Sequence, residues 1–169
     1  PGQDKGWLSM VDKSMPGNFT VNKNGERFSN ESQNYVSFVN DMFEKYAEGN
    51  PCAPCYMIFD STFRKSRPCG PLLQASMQPD SAVPKEWWTP SFLSKGETLE
   101  ELAEVVGINI DGLLATQAKV NEYAASGKDL DLHRGDSVYD RYYGDPSVTP
   151  NPCLAPLEQG PFYCMVLYP

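Results

Sequence analysis

The sequence contains one pair of closely spaced thiols, Cys52 and Cys55, in the segment PCAPC. A C-x-x-C pair can supply half of a zinc site or a redox dithiol. A structural zinc site takes four ligands, yet no second C-x-x-C occurs, and the single histidine, His133, is far away in the sequence. A thioredoxin-like pair follows a strand and begins a helix, whereas here a predicted helix precedes the pair and a predicted strand follows it. The pattern argues against both roles, and no metal is predicted.

Other short signatures of catalysis are missing from the sequence. His133 has no G-x-S-x-G nucleophile elbow to accompany it, and there is neither a P-loop nor the G-x-G-x-x-G fingerprint of dinucleotide binding. A formal net charge of -8 argues against a nucleic acid partner, because phosphates would be repelled. No apolar run is long enough to span a bilayer. Short motifs alone therefore define no complete active site.

A polar segment, residues 127–152, stands out by its composition. It reads GKDLDLHRGDSVYDRYYGDPSVTPNP and carries Arg134, Arg141, five aspartates and three tyrosines outside any periodic element. One interpretation is a solvated loop crossed by salt bridges. The other is a loop that folds over a ligand and is held rigid by its polar pairs. The composition leaves both interpretations open.

Before this segment, one amphipathic helix is predicted from near Asn30, whose side chain can cap the first turn, with Glu31 favoured at the positive helix end. The apolar residues of this helix recur at three- and four-residue spacing, at Tyr35, Phe38, Val39, Met42, Phe43 and Tyr46. Tyr35 is placed one turn into the helix. In the simplest interpretation it is the first core residue of the stripe.

The segment GNFTVNKNGERF predicts a β-hairpin that turns at Asn24-Gly25. The apolar run YMIFD, residues 56–60, predicts a strand that is buried on both faces. Residues 64–95 are rich in proline, serine and lysine and are predicted to form a long loop. The segment GPFYCMVLYP at the end predicts a final strand.

Two further helices are predicted in the second half of the chain. Thr98 and Glu101 form a capping-box pattern for a helix that ends at Gly107. Asp111 is expected to cap a second helix that ends at Gly127. Few strands, several helices and no regular alternation of the two predict an α+β fold, in which helices flank a small antiparallel sheet.

The length of 169 residues predicts a single domain, residues 1–169. The sequence begins at Pro1 and ends abruptly, so we expect a piece excised from a longer chain. Five cysteines without a disulfide-like framework indicate a reducing compartment, and a cytoplasmic location is expected.

Five segments occur in the order GNFTVNKNGERFSNES followed by Tyr35, YMIFD, TLEELAEVVGI, VNEYAASGKDLDLHRGDSVYDRYYGDP and GPFYCMVLYP. In this order they resemble the substrate-capping domain of FAD-dependent dehydrogenases in the fumarate reductase and succinate dehydrogenase flavoprotein superfamily. The pattern is most similar to the 3-ketosteroid Δ1-dehydrogenases, and it covers essentially the whole chain.

The resemblance implies an oxidoreductase reaction. In that family a larger domain binds FAD, the capping domain closes over the flavin, and the steroid lies between them. A tyrosine at the position of Tyr35 takes the proton from C2 while C1 delivers hydride to the flavin N5; fumarate reductases have an arginine there. The implied partners are a 3-ketosteroid, the FAD-binding domain of the same polypeptide and an electron acceptor. The isolated chain is expected to be inactive, because the ketone-polarising groups and the FAD fingerprint belong to the other domain.

This role makes physical demands on Tyr35 and its surroundings. A free phenol has a pKa of about 10, so a tyrosine base needs a stabilised phenolate, and a helix amino terminus supplies positive charge of that kind. A steroid also requires an apolar wall. The candidates for it are Met10, Val11, Tyr56 and Ile58, although each could equally be ordinary core.

Alternative functions stay open at this point. Arg134, in the segment LHR, resembles the place of a fumarate reductase arginine, but it is expected to be structural and to organise the acidic loop. A fumarate reductase-like or Δ4-ketosteroid dehydrogenase capping domain is one alternative. A binding module for apolar ligands, without any chemistry, is another.

Overall fold

The computed structural model describes residues 6–169 of the chain. In this range it contains four β-strands and five α-helices. In chain order they are β1 (Asn18–Val21), α1 (Tyr35–Ala47), β2 (Cys55–Asp60), α2 (Ser61–Ser66), β3 (Leu93–Gly96), α3 (Leu99–Val106), α4 (Ile110–Ser126), α5 (Val138–Tyr142) and β4 (Phe162–Leu167). The predicted α+β class is confirmed.

The four strands form one antiparallel sheet in the order β1-β2-β4-β3. Every residue of β2 is buried, as the apolar run predicted. Successive side chains of a strand point to opposite faces, so β2 contributes to two cores. Tyr56 and Ile58 pack with α3 and α4 on one face, whereas Met57 and Phe59 pack with β4 residues and the loop before β3 on the other.

The hairpin prediction is correct for the turn and wrong for its second arm. The Asn22 amide donates to the Glu26 carbonyl at 2.9 Å, and Gly25 adopts a positive φ of 78°. Residues 26–34, which follow the turn, form no strand, and β1 pairs with β2 instead. The reason is that Arg27 is drawn into buried ion pairs behind the sheet rather than alternating along a strand.

The predicted helices α3 and α4 are both present, with one change of cap. The Thr98 hydroxyl accepts the Glu101 amide, and Gly107 ends α3 in the left-handed region, as predicted. Helix α4 begins at Ile110 because Asn109, not Asp111, is its N-cap, accepting from the Gly112 amide at 2.8 Å. The backbone amide of Asn109 also donates to the Lys23 carbonyl.

The expected loop at residues 64–95 is shorter than predicted. Helix α2 occupies its start, and β3 begins at Leu93. Between them lie two 3-10 turns, Asp80–Ala82 and Lys85–Trp87. The strand predicted at the end of the chain is present as β4. Within residues 6–169, no helix combines the length and apolarity that a bilayer crossing requires.

Candidate functional site

A cleft of about 500 Å³ opens on the face of the sheet that carries Met57 and Phe59. It lies between the start of α1, the end of β4, the loop before β3 and the first described residues. Most of its walls are apolar or aromatic, including Trp7, Leu8, Tyr35, Phe38, Val39, Met42, Pro71, Trp87, Phe92, Met165 and Leu167. Asp12 and Lys13 are the charged residues among its described lining.

Tyr35 is the first residue of α1 and lines this cleft. Helix α1 begins there because the Asn34 side chain accepts the Ser37 amide at 2.9 Å and caps it. The predicted start near Asn30 is therefore wrong, since Asn30 forms its own turn by accepting the Ser32 amide. Tyr35 is 43% exposed, so the interpretation as a core residue is also wrong.

Only part of the predicted apolar stripe of α1 is buried. Phe38 and Met42 pack inward with Phe28, Cys52 and Cys55, and the rings of Phe28 and Phe38 lie 5.6 Å apart. Val36, Phe43 and Tyr46 are exposed. The helix therefore rests on the domain through two residues and shows much of its apolar surface to solvent.

The apolar wall is not made by the residues that were expected to form it. Tyr56 and Ile58 lie in the core on the opposite face of the sheet, against α3 and α4. Both faces of β2 are buried, so its sequence has no alternation to reveal which residues face the cleft. On the sheet side the wall is formed by consecutive residues at the end of β4, Met165, Val166 and Leu167. Trp87 and Phe92 form another side.

For the stretch at residues 7–13, the prediction chose the right part of the chain but the wrong residues. Met10 and Val11 do not line the cleft, whereas their neighbours on both sides do: Trp7, Leu8, Ser9, Asp12 and Lys13. This segment is irregular before the 3-10 turn Asp12–Ser14, so no periodicity marks the residues that point inward.

A buried ionic network lies behind Tyr35. Arg27 forms two parallel bonds to the Glu31 carboxylate, at 2.8 and 2.6 Å, and bonds Asp129 at 2.7 Å. Burial disfavours the charged carboxylate, but the attraction of Arg27 and Arg134 prevails and lowers the pKa of Glu31 to about 2. The Thr20 amide also donates to Glu31, at 3.0 Å. Glu31 is thus held beside β1, outside the helix in which it was predicted.

Arg134 joins this network and is 1% exposed. Its guanidinium donates to the Asn18, Lys13 and Met15 carbonyls and to the Ser32 hydroxyl, all within 3.1 Å. Burial lowers its pKa from the ordinary value. Arg134 does not line the cleft, which agrees with the expectation that it is structural.

The polar segment 127–152 matches neither interpretation fully. Asp129 and Asp140 are buried, so the segment is not a solvated loop throughout. Asp140 accepts from Asn30 at 3.0 Å and from the Gly135 amide at 2.9 Å. None of the segment lines the cleft, so it supports the Tyr35 region from behind and does not cover a ligand there.

Lys13 is the charged, buried residue of the cleft that the sequence did not indicate. Its side chain is 1% exposed, and its ammonium donates to the Glu31 carbonyl at 2.8 Å and to the Gln33 carbonyl at 2.6 Å. The nitrogen also lies 5.0 Å from the centre of the Phe38 ring. Burial, with the repulsion of Arg134, lowers the pKa of Lys13 to about 8. A lysine in an irregular segment gives no sequence signal for such a position.

The two cysteines of the C-x-x-C pair are free thiols within a small apolar cluster. Burial raises the pKa of Cys55 well above its ordinary value, which favours an unreactive thiol. Among residues 6–169, no group of three or more potential ligands is arranged to hold a metal ion.

Comparison with known proteins gives consistent similarities. The sequence profile of the FAD binding domain family matches residues 3–169. The chain is 38% identical over 167 residues to a 3-oxosteroid 1-dehydrogenase of Mycolicibacterium smegmatis, covering 96% of this chain and 28% of that protein. It is 37% identical over 167 residues to a 4-oxocyclohexanecarboxylate 2-dehydrogenase of Sinomonas cyclohexanicum, covering 97% of this chain and 27% of that protein.

A solved structure agrees with these relatives. The crystal structure of a 3-ketosteroid Δ1-dehydrogenase from Sterolibacterium denitrificans, in complex with 1,4-androstadiene-3,17-dione, matches the fold with a TM-score of 0.93 at 38% identity. The match covers 99% of this chain and 29% of that chain. The chain therefore spans less than a third of the length of these relatives.

Proposed function

The chain belongs to the FAD binding domain family, and from this membership we propose that it is the substrate-capping domain, residues 1–169, of an FAD-dependent 3-ketosteroid Δ1-dehydrogenase. The observation that carries the proposal is the position of Tyr35. Its half-exposed side chain lies at the amino terminus of α1, on the wall of an apolar cleft. The similarity to steroid dehydrogenases over nearly the whole chain supports the same assignment.

FAD is the cofactor that the family and the dehydrogenase relatives indicate. The described lining of the cleft does not fit the whole cofactor. A dinucleotide pyrophosphate needs cationic or amide donors, while Lys13 is the one lysine or arginine in that lining and already donates to two carbonyls. We infer that the remainder of the flavoprotein binds FAD. Bound there, FAD would supply the hydride acceptor.

The residues of this chain would act on the other hydrogen of the desaturated bond. Tyr35 is proposed to accept the C2 proton, which the neighbouring 3-ketone acidifies. A base of this kind contributes about 10²–10⁴-fold to a rate when it is positioned at the carbon acid. The donors that stabilise the enolate oxygen are assigned to the FAD-binding domain. Turnover by the isolated chain is therefore not expected.

The apolar wall would supply the affinity for a steroid. A rigid hydrocarbon gains roughly 25 cal/mol for each Å² removed from water, without polar partners. Trp87 and Phe92, packed edge to face with centres 5.6 Å apart, form one side of the cleft, and Met165 contributes to the sheet side. These three residues replace Tyr56 and Ile58 as candidates for the steroid wall.

The same features bear on the alternatives. A dicarboxylate or a ketocyclohexane carboxylate needs cationic anchors for its carboxylate. Arg134 is outside the cleft, and Lys13 is engaged with main-chain carbonyls. These positions favour a neutral, apolar ketone over an acidic one. A Δ4-dehydrogenase would share the wall and differ in the carbon that faces the base.

The test uses the intact flavoprotein with an artificial electron acceptor. We expect conversion of a 3-keto-4-ene steroid to the 1,4-diene, identified by mass spectrometry and NMR, and little turnover of 4-oxocyclohexanecarboxylate. Tyr35→Phe should lower kcat by about 10²–10⁴-fold while KM changes little. The matched control is Tyr46→Phe, on the same helix but outside the cleft, which should behave as wild type.

Several results would overturn this assignment. With a 3-ketosteroid whose A ring is saturated as a second substrate, a double bond formed at C4–C5 instead of C1–C2 would identify a Δ4-dehydrogenase. Faster turnover of the carboxylate substrate would move the chain to the one-ring relatives. Steroid binding without any turnover, and equal behaviour of both tyrosine variants, would favour the non-catalytic module. Steady turnover by the 169-residue chain with added FAD would contradict the assignment of FAD binding and enolate stabilisation to the other domain.

A further inference from the structure

Lys13 connects the cleft with the segment that leads into Tyr35. It belongs to the 3-10 turn Asp12–Ser14, lines the cleft, and donates to the carbonyls of Glu31 and Gln33. The second of these carbonyls belongs to the residue just before Asn34, the N-cap of α1. One buried ammonium therefore holds two carbonyls, two residues apart, in the backbone segment that leads into Tyr35.

The charge of this lysine carries an electrostatic cost. A positive charge near the amino terminus of a helix is electrostatically unfavourable. Burial and the repulsion of Arg134 also lower the pKa of Lys13 to about 8. The folded protein therefore binds this proton more weakly than the unfolded chain does, and the charged form works against folding. Its two carbonyl bonds and its place in the lining of the cleft make it a candidate for a functional role.

The surroundings of Lys13 determine how it would respond to pH. Arg134 repels its charge, and the carboxylates of Glu31, Asp12 and Asp140 attract it. From α1, the uncharged Phe38 ring faces the nitrogen at 5.0 Å. The three carboxylates belong to the segment before α1, to the 3-10 turn and to α5, so the ammonium is held from several elements at once.

We propose that Lys13 is a positioning residue for Tyr35, which it aligns by tying the backbone of residues 31–33 to the floor of the cleft. The inference rests on the proposed function, because the alignment matters only if Tyr35 accepts a proton. A misplacement of about 1 Å at a reacting group can cost about 100-fold in rate. The tie weakens when the ammonium loses its proton, so its effect depends on pH.

The experiment compares Lys13→Met and Lys13→Arg in the intact flavoprotein. Methionine keeps the length and apolar body of the side chain and removes both donors. Arginine keeps donors and charge. We expect Lys13→Met to lower kcat by about 10- to 100-fold with KM within threefold of wild type, and Lys13→Arg to recover part of the loss. Wild-type kcat should fall above pH about 8, and Lys13→Met should lack this limb.

The matched control is Lys23→Met. Lys23 also donates to a main-chain carbonyl, that of Val106 at 3.3 Å, and lies 5.5 Å from the centre of an aromatic ring, that of Tyr56. It does not line the cleft. We expect the pH profile and kcat of this variant to match those of wild type. Hydrogen exchange of the peptide around residues 30–36 adds a readout independent of activity, and it should be faster in Lys13→Met alone.

The outcomes separate this inference from the proposed function. If the wild-type flavoprotein does not dehydrogenate the steroid, the proposed function fails. If it does, an unchanged kcat in Lys13→Met, or a change in KM alone, overturns the role of Lys13. An alkaline limb that persists in Lys13→Met overturns it as well. Should Lys13→Met fail to fold, Lys13→Gln takes its place, because it removes the titrating charge although it keeps an amide donor. The alkaline limb should again be absent, and a limb that persists overturns the inference.

Discussion

The segment 29–34 separates two regions of very different character. Behind it lies the buried ionic network, in which Arg27, Glu31, Asp129 and Arg134 meet at short distances. In front of it lies the cleft, with apolar walls and the half-exposed Tyr35. The network is polar and inaccessible, whereas the cleft is apolar and open. Tyr35 follows directly after the segment that the network and Lys13 hold.

The difference assigns separate tasks to the two regions. Bringing charges out of water is costly, so a buried network is a poor source of net stability compared with apolar packing. Its geometry does fix one arrangement of the backbone, because each carboxylate has several specific donors. The apolar contacts of the cleft cannot fix one backbone arrangement in this way, since they are not directional. We infer that the network supplies the rigidity and the cleft supplies the affinity.

The largest expected effect comes from breaking the network. Glu31→Gln leaves the buried Arg134 without its ion pair and removes the charged partner of Arg27. It should lower the free energy of unfolding of the 169-residue chain by about 3–5 kcal/mol, measured by urea denaturation. The control is Glu104→Gln on the exposed side of α3, which should leave stability nearly unchanged. A loss of equal size in both variants would contradict the importance of the network.

A smaller effect of the same origin is expected from pH. The pKa of Glu31 falls from the ordinary 4.5 to about 2 in the folded protein. Between these values the unfolded chain binds more protons than the folded one, so the stability that Glu31 contributes is complete above pH 4.5 and is lost towards pH 2. The loss amounts to about 3 kcal/mol. Urea midpoints from pH 6 to pH 2.5 should show it, and the difference between wild type and Glu31→Gln should shrink on acidification.

The elements of the fold were largely predictable, because local signals determine them. The capping box at Thr98, the glycines that end α3 and α4, and the buried run of β2 each act within a few residues. The errors arose where a distant partner overrides a local preference. Arg27 leaves the hairpin for a bond to Asp129, 102 residues further along the chain. Nothing near either residue in the sequence indicates that pair.

The site was predictable only in part, for a related reason. Tyr35 was selected by a motif, and the structure places it in the cleft. Tyr56 and Ile58 were assigned to the wrong face because a strand buried on both sides has no polar residues to mark the outer one. Lys13 was missed since a lysine is ordinarily a surface residue. Its role depends on carbonyls 18 and 20 residues away.

The smallest effect is expected at the rim of the cleft, where it tests whether the cleft supplies the affinity for the steroid. Leu8 lines the cleft and is 65% exposed, so Leu8→Ala should hardly change the stability. A docked steroid would cover part of this side chain, and its loss should weaken binding of the dienone product by about 1 kcal/mol, or roughly fivefold in Kd. A titration of the intact flavoprotein, followed by flavin absorbance, measures it.

Leu130→Ala is the matched control for this change. Leu130 is 70% exposed but lies outside the cleft, in the polar segment that supports the ionic network. Both substitutions remove the same atoms from equally accessible positions, so only their location differs. Equal affinities would mean that the steroid does not lie against residues 7–13, and the ligand would then belong elsewhere on the apolar surface of α1. A selective loss in Leu8→Ala would place the binding energy on the cleft side of residues 29–34, opposite the network.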